Sequence, residues 1–260
     1  MELWSPEHGK TLPAAVVVML IVCAVLHRLL GNKSYRTRMI PFQIVTCIML
    51  LLEVGTQGLS LYRGYDLYHL PFHFCSLFLF VYPVMAFYNG KHKSLVAAVS
   101  AAISAAVFLL LMIYPCLIYG AGNINAFFTD YFSFHTVAYH NLVIFQFILM
   151  LALGLYAPER KKAEVKTVNL FILCFCIVSS TMAQVLKTNY ANYYSCNIPP
   201  LEAVRVQLQG VLGTVPTQIL YILIVSALNL VFVYGAYWFY RLVHHLLCSL
   251  LKKEKSPTNV

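Results

Sequence analysis

Charge is scarce in this chain, and so is any sign of a water-facing surface. Of its 260 residues only 10% are charged, whereas 60% are hydrophobic, and the mean hydropathy is +0.74. A soluble domain of this length carries far more charge, so the composition excludes one and indicates a polytopic membrane protein. No stretch alternates apolar and polar residues as a lipid-embedded barrel strand does, which leaves helices to satisfy the backbone in lipid.

Seven apolar stretches reach the length of about 20 residues that a helix needs to cross the roughly 30 Å of hydrocarbon. We therefore predict an all-α bundle with seven transmembrane helices, forming a single membrane domain over residues 1–260. The connecting loops are too short for a separate soluble domain, and no internal repeat is evident. The predicted helices cover residues 12–30, 39–61, 70–89, 95–119, 134–156, 166–187 and 215–240.

The positive charges predict the orientation of this bundle, because short loops rich in Lys and Arg stay in the cytoplasm. Most of the eighteen Lys and Arg residues fall in the first, third and fifth loops and in the C-terminal tail. The N-terminus is therefore expected outside, or in the lumen, and the C-terminus in the cytoplasm. These loops and their attraction to anionic lipid account for the net charge of +9, so we expect no nucleic-acid partner. The residues on the predicted cytoplasmic side are Arg28, Lys33, Arg36, Arg38, Lys91, Lys93, Arg160, Lys161, Lys162, Lys166, Arg241, Lys252, Lys253 and Lys255.

A small set of polar and ionisable residues is expected to meet at one depth of the bundle. In the predicted orientation, odd-numbered helices begin outside and even-numbered helices end there. The outer ends of helices two, three, five and six then share a polar site in the outer leaflet. Ionisable groups within a membrane are costly and usually functional. The candidate residues are Glu53, Gln57, His73, Cys75, His135, His140, Gln184 and Asn189.

Spacing suggests chemistry for some of these residues. Glu53 and Gln57 are four apart on one helical face, and Glu53 is expected to be either protonated or matched with a histidine. Such a carboxylate either orients a catalytic base or forms a structural polar contact between two helices. His73 follows Pro71 near the start of helix three, where the positive end of the helix dipole favours a neutral imidazole that accepts a proton. The alternative for His73 is a structural hydrogen bond.

Cys75 lies two positions after His73, about 200° around an α-helix, so a base for its thiol would come from another helix. A structural cysteine is the alternative. His135 and His140 are five apart and point about 140° away from each other, unlike the two histidines of an HxxxH metal pair. This spacing counts against a zinc site, and we expect neither a metal nor a cofactor.

Four short motifs stand in a distinctive order along the chain: WSPEH ahead of helix one, LPFHFC at helix three, FSFHTVAYHN entering helix five and LKTNYANYYSCNIPP after helix six. In order and spacing they resemble the YwaF-like integral membrane family, over nearly the whole chain. That family is related to the eukaryotic transmembrane protein 164 family, whose members act as phospholipid acyltransferases. The resemblance implies an integral membrane enzyme that transfers acyl chains between phospholipids and lysophospholipids, or hydrolyses them.

The resemblance also implies roles for individual residues. His73 and His140 match the family histidines at helices three and five, and either would act as the general base. In the eukaryotic pattern a cysteine directly precedes the first histidine, whereas here Phe72 stands there and Cys75 is the nearest thiol. Cys75 is therefore the candidate acyl acceptor, but a base that deprotonates a lysolipid hydroxyl directly needs no cysteine. The candidate donors to a developing oxyanion are Gln184 and Asn189.

The competing hypothesis is a multipass transporter or ligand-binding protein in which the same polar site holds a small ligand or a proton. Deeper polar residues would line its path, with interhelical hydrogen bonding as their alternative role. The host membrane would be the plasma membrane in a bacterium and the endoplasmic reticulum in a eukaryote, and the oligomeric state is not indicated. The deeper polar residues are Gln146, Asn169 and Asn229.

Overall fold

The computed structural model describes residues 3–159 and 162–254, and within them every regular element is helical, which confirms the all-α prediction. Arg160, Lys161 and Lys255, which contribute to the charge pattern, lie outside the described residues. The α-helices, in chain order, are α1 (Pro6–Leu30), α2 (Tyr35–Tyr62), α3 (Phe78–Phe87), α4 (Lys93–Ile113), α5 (Ala121–Asn125), α6 (Tyr131–Ala152), α7 (Lys162–Leu186), α8 (Pro199–Leu212) and α9 (Thr214–Glu254).

Six of these helices, α1, α2, α4, α6, α7 and α9, are long and apolar enough to cross a membrane. Three of them begin at a side chain that accepts a backbone N–H of the first turn, namely Ser5, Ser34 and Asp130. The last helix is longer than predicted and continues past residue 240 to Glu254. Nothing interrupts it, because residues 241–254 contain neither glycine nor proline.

The predicted third helix, residues 70–89, is shorter in the structure. A 3₁₀ turn, Phe74–Leu77, leads directly into α3. Pro71 is one cause, because the residue before a proline avoids helical geometry, and Leu70 is extended with a ψ of 145°. The turn and α3 together reach about 21 Å at about 1.5 Å per residue, less than the roughly 30 Å of hydrocarbon. The count of seven spans and the orientation of the termini therefore stay predictions.

The core of the bundle is built around α4, which contacts α3, α6, α7 and α9. Residues 97–107 of α4 are all buried, and six of them are alanine. Small side chains let helix backbones approach closely, which is the main way helices pack in lipid. Among the serines of α4, Ser104 pairs with the hydroxyl of Tyr82 on α3 at 2.8 Å. α4 is thus the central element against which the outer helices are placed.

The described parts of the loops predicted to share the cytoplasmic side lie together at one end of the bundle, which we call the basic end: residues 27–38, 86–93, 152–159 and 162–166 and the C-terminal half of α9. The His27 ring donates to the carbonyl of Ala152 at 2.6 Å, and Arg38 donates to the carbonyl of Leu153 at 2.6 Å. The Lys93 ammonium lies 4.7 Å from the centre of the Tyr35 ring. The basic loops are therefore neighbours in space as well as alike in composition.

Candidate functional site

At the opposite end, which we call the histidine end, residues 57–76, 114–140 and 184–198 come together. The connection between α2 and the turn before α3 is not α-helical, so its carbonyl groups need partners from elsewhere. Gln57 on α2 donates to the carbonyl of His69 at 2.7 Å, and Ser179 on α7 donates to that of Phe72 at 2.8 Å. The hydroxyl of Tyr190 donates to the carbonyl of Leu67. Side chains from three separate segments therefore hold this connection in place.

His73 stands at the end of this connection, as the residue that precedes the 3₁₀ turn. Its Nε2 lies 3.0 Å from the carbonyl oxygen of Tyr68. A carbonyl only accepts, so Nε2 carries the proton and Nδ1 holds the free lone pair of the neutral ring. The rings of Tyr68 and Tyr190 lie 4.4 and 5.3 Å from the His73 ring, centre to centre. The imidazole is thus fixed in one tautomer between two aromatic rings.

His140 on α6 is held in the opposite tautomer. Its Nδ1 lies 2.7 Å from the carbonyl oxygen of Thr136, so Nδ1 donates and Nε2 is the atom that can accept a proton. The side chain is buried, and the rings of Tyr119 and Tyr139 each lie 6.0 Å from its centre. Both family-matched histidines therefore have one nitrogen anchored to the backbone and one nitrogen free for chemistry.

The structure pairs Glu53 with His135, which is one of the two arrangements predicted for this carboxylate. Glu53 Oε2 lies 3.2 Å from His135 Nε2, although the ring N–H is not well aligned with it. Gln57 donates to Glu53 Oε1 at 2.7 Å, and the hydroxyl of Tyr65 donates to Gln57 at 2.7 Å. A chain of polar contacts thus runs from Tyr65 to His135 and fixes the carboxylate between α2 and α6.

These residues form one group, which we call the histidine cluster: Glu53, His73, Cys75, His135 and His140. The ring of Tyr139 lies 5.3 Å from the His135 ring and 6.0 Å from the His140 ring, centre to centre, and its hydroxyl donates to the carbonyl of Cys75 at 3.5 Å. Cys75 sits in the 3₁₀ turn, so the angle of about 200° expected from an α-helix does not apply to it. The cluster draws on α2, on the turn before α3 and on α6.

Gln184 and Asn189 lie at the same end, but they organise the loop after α7. Gln184 donates to the carbonyl of Tyr193 at 2.9 Å, and Asn189 donates to the side chain of Asn197 at 3.0 Å. Asn189 Oδ1 also accepts from two backbone N–H groups of this loop. Ala191 has a left-handed backbone with a φ of 47°, an uncommon conformation for a residue with a side chain. The contribution of Gln184 and Asn189 to an oxyanion site stays a prediction.

His8 is the member of the site that reasoning from the sequence missed. It is fully buried, its Nδ1 lies 2.7 Å from the hydroxyl of Ser5, and the sulfur of Cys116 lies 3.7 Å away. The ring of Tyr119 lies between His8 and His140, at 5.1 and 6.0 Å from their centres. The signal was present, because His8 belongs to the WSPEH motif, but only the fold reveals what it contacts.

All four motifs that carried the resemblance thus meet at the histidine end. A sequence model of the TMEM164 family matches residues 3–251. The chain belongs to the TMEM164 family. No curated protein and no solved structure matches the chain. Family membership, together with six long apolar helices, identifies an integral multipass membrane protein and confirms the resemblance drawn from the motifs.

Proposed function

We propose that the protein transfers a fatty acyl chain between a phospholipid and a lysophospholipid at the histidine cluster. The observation that supports this is the meeting of four motifs, distant in sequence, around two histidines that each keep one nitrogen free. The resemblance to a family of phospholipid acyltransferases suggests the reaction, and the geometry supplies groups that suit it. Acyl hydrolysis, with water in place of the lysolipid hydroxyl, uses the same groups.

The depth of the cluster suits a lipid substrate. Glu53 lies nine residues before the end of α2 at Tyr62, and His140 lies nine residues after the start of α6 at Tyr131. At about 1.5 Å per residue, both are about 14 Å from the ends of their helices. His140 is therefore near the middle of α6, within the hydrocarbon, and a substrate that reaches it must itself enter the lipid phase. A phospholipid or lysophospholipid does so, and its ester bond would move inward from the interface to reach the cluster.

The simplest chemistry is direct attack by the lysolipid hydroxyl. The free nitrogen of His73 or His140 takes the proton as the hydroxyl oxygen forms a bond to the ester carbonyl carbon of the donor phospholipid. When the tetrahedral intermediate collapses, the old ester bond breaks and the departing alkoxide takes the proton back from the imidazole. The products are a new phospholipid and a new lysophospholipid, and the carboxylate of Glu53 is the acidic group of the cluster that can offset a protonated imidazole.

A covalent route would pass through Cys75. Its sulfur would attack the ester carbonyl, release the lysolipid alkoxide and hold the acyl chain as a thioester until a second lysolipid hydroxyl displaces it. Phe72 occupies the position at which the eukaryotic pattern has a cysteine, and its carbonyl is held by Ser179. The direct route needs no cysteine, so it is the one we favour.

The experiment is lipid mass spectrometry of the purified chain incubated with mixed phospholipids and lysophospholipids. We expect new acyl combinations with the unaltered chain and with Cys75→Ser, and none with His73→Ala or His140→Ala. His92→Ala is the matched control, because His92 is exposed at the basic end and its side chain makes no capping hydrogen bond to α4. Full turnover in either histidine variant would overturn the proposal, and a loss of turnover with Cys75→Ser would favour the thioester route.

The transport alternative relied on polar residues deeper in the bundle. Gln146 is fully buried and donates to the carbonyl of Phe42 and to the hydroxyl of Thr46, at 3.0 and 3.1 Å. Asn229 donates to the hydroxyl of Tyr193 at 3.4 Å. Gln146 thus joins α6 to α2, and Asn229 joins α9 to the loop after α7, which accounts for two of the three residues without a transport path. Solute flux across vesicles without any lipid product would favour transport instead.

A further inference from the structure

An apolar groove of about 1170 Å³ runs between α7 and α9 at the basic end, away from the histidine cluster. Its wall residues recur every three or four positions on each helix, from Lys162 to Leu173 on α7 and from Leu230 to Arg241 on α9. Each helix therefore contributes one continuous face. The volume exceeds the roughly 300–1,000 Å³ of pockets for drug-sized ligands, so the groove suits a larger occupant.

The charges at the groove are all positive. Lys162, Lys166 and Arg241 line it, and no acidic side chain of the described residues does. Glu164, the nearest acid on α7, is turned inward, fully buried, and accepts from the hydroxyl of Tyr237 at 2.9 Å. Glu164 therefore supplies no counter-charge to the cations that line the groove, and an anionic group would complement them.

The cations lie at the depth in the membrane at which the head group of a lipid is expected. The Arg241 guanidinium lies 4.4 Å from the centre of the Trp238 ring, and tryptophans of this kind sit at the level of lipid head groups. From there the groove extends eleven residues along each helix, or about 17 Å. That is about half of the roughly 30 Å of hydrocarbon, the depth of one leaflet. Below the cations its walls are exposed apolar side chains, such as Leu170 and Val231.

We propose that this groove binds an anionic phospholipid, with the head-group phosphate against Lys162, Lys166 and Arg241 and an acyl chain along the apolar walls. Basic pockets between helices are recognised sites for anionic lipid head groups. The site lies at the end of the bundle opposite the histidine cluster and holds its lipid whether or not the protein transfers acyl chains.

The fluorescence of Trp238 tests this proposal. The chain has two tryptophans, so Trp4→Phe leaves Trp238 as the single indole. This variant is reconstituted in vesicles with equal fractions of either brominated phosphatidylglycerol or brominated phosphatidylcholine. We expect stronger quenching by the anionic lipid. Lys162→Gln, Lys166→Gln and Arg241→Gln together should remove that preference, by about fivefold for each charge lost.

The matched control removes three cations from the same end but outside the groove: Arg28→Gln, Lys33→Gln and Arg36→Gln. We expect this variant to keep the preference for phosphatidylglycerol. Equal quenching by both lipids, or loss of the preference in the control as well, would overturn the proposal. So would displacement of the brominated lipid by soluble glycerol phosphate, because the occupant would then be a free anion. Size-exclusion profiles and thermal unfolding in detergent establish that each variant is folded.

Discussion

The two ends of this bundle use polar residues in opposite ways. At the histidine end the polar groups point inward, the backbone departs from helical geometry, and side chains such as Gln57 and Ser179 take over the hydrogen bonding. At the basic end the helices are regular, and cations such as Lys162 and Lys166 lie on the outside. Irregular backbone inside a membrane is tolerated only where it is buried in protein or lines a water-filled cavity, so the side chains that satisfy it are a structural requirement of the histidine end.

The largest expected effect comes from removing the two histidines that we propose as general bases. Each of His73→Ala and His140→Ala should lower acyl transfer by about 10²–10⁴-fold, the usual contribution of a general base. If the two histidines act in one proton pathway, the double variant should cost little more than either single variant. Initial rates from lipid mass spectrometry measure this, and losses that multiply in the double variant would show that the histidines act independently.

A second change tests whether the histidine end needs close packing of α2 against α6. A methyl group on Gly55 would collide with the hydroxyl of Tyr131, which donates to the carbonyl of Leu52 at 2.9 Å. Gly55→Ala should therefore destabilise the fold by about 1–3 kcal/mol and separate Glu53 from its partner on α6. Thermal unfolding in detergent and transfer rates measure the two effects.

Gly58→Ala is the control for this test. Gly58 lies on the same helix, and no atom lies within 4 Å of the position that its methyl group would take. Without a clash, the substitution should leave activity intact and raise stability by up to about 1 kcal/mol through helix propensity. Equal losses in the two alanine variants would contradict the close-packing argument.

A third change concerns the hydroxyl that ties the loop after α7 to the connection before α3. Tyr190→Phe keeps the ring against His73 but leaves the carbonyl of Leu67 without its donor, at a cost of about 1 kcal/mol. We expect a fall in transfer rate beyond the loss of stability, because His73 stands on that connection. Tyr221→Phe, which removes a hydroxyl bonded to Asn192 in the same loop, should cost similar stability and spare the rate.

The sequence predicted the helical class and the grouping of the basic loops, because each follows from local composition, and it gave pairing with a histidine as one of two alternatives for Glu53. It did not predict the connection before His73, because residues 70–89 form one apolar run whose hydropathy alone favours a single helix. In this segment, backbone carbonyls accept hydrogen bonds from the side chains of Gln57 and Ser179 instead of from a helix of their own. Partners that are distant in the sequence leave no periodic pattern in it. His8 was missed for the same reason, since Cys116 is 108 residues away.

The smallest expected effect lies in α8, which leaves the bundle core and is held to the loop before it by Glu202. This carboxylate accepts from Arg205 and from the backbone N–H of Cys196, each at 2.8 Å. The Arg205 guanidinium holds the pKa of Glu202 below its usual value, with the Cys196 N–H adding to the effect. Since the folded pKa is lowered, the stabilisation is present at neutral pH and is lost as the pH falls below about 4.3.

Glu202→Gln should therefore lower the free energy of unfolding by only about 0.2–1 kcal/mol at neutral pH, as expected for a partly exposed ion pair. At a pH below the lowered pKa of Glu202 it should change nothing. Thermal unfolding in detergent at these two pH values measures the loss, which should be similar for Arg205→Gln and no larger for the double variant. A deficit that stays constant with pH would mean that the amide disturbs the loop by shape and not by charge. Transfer rates should not change, because this pair belongs to neither the histidine cluster nor the groove, and a loss of rate would place α8 within the site.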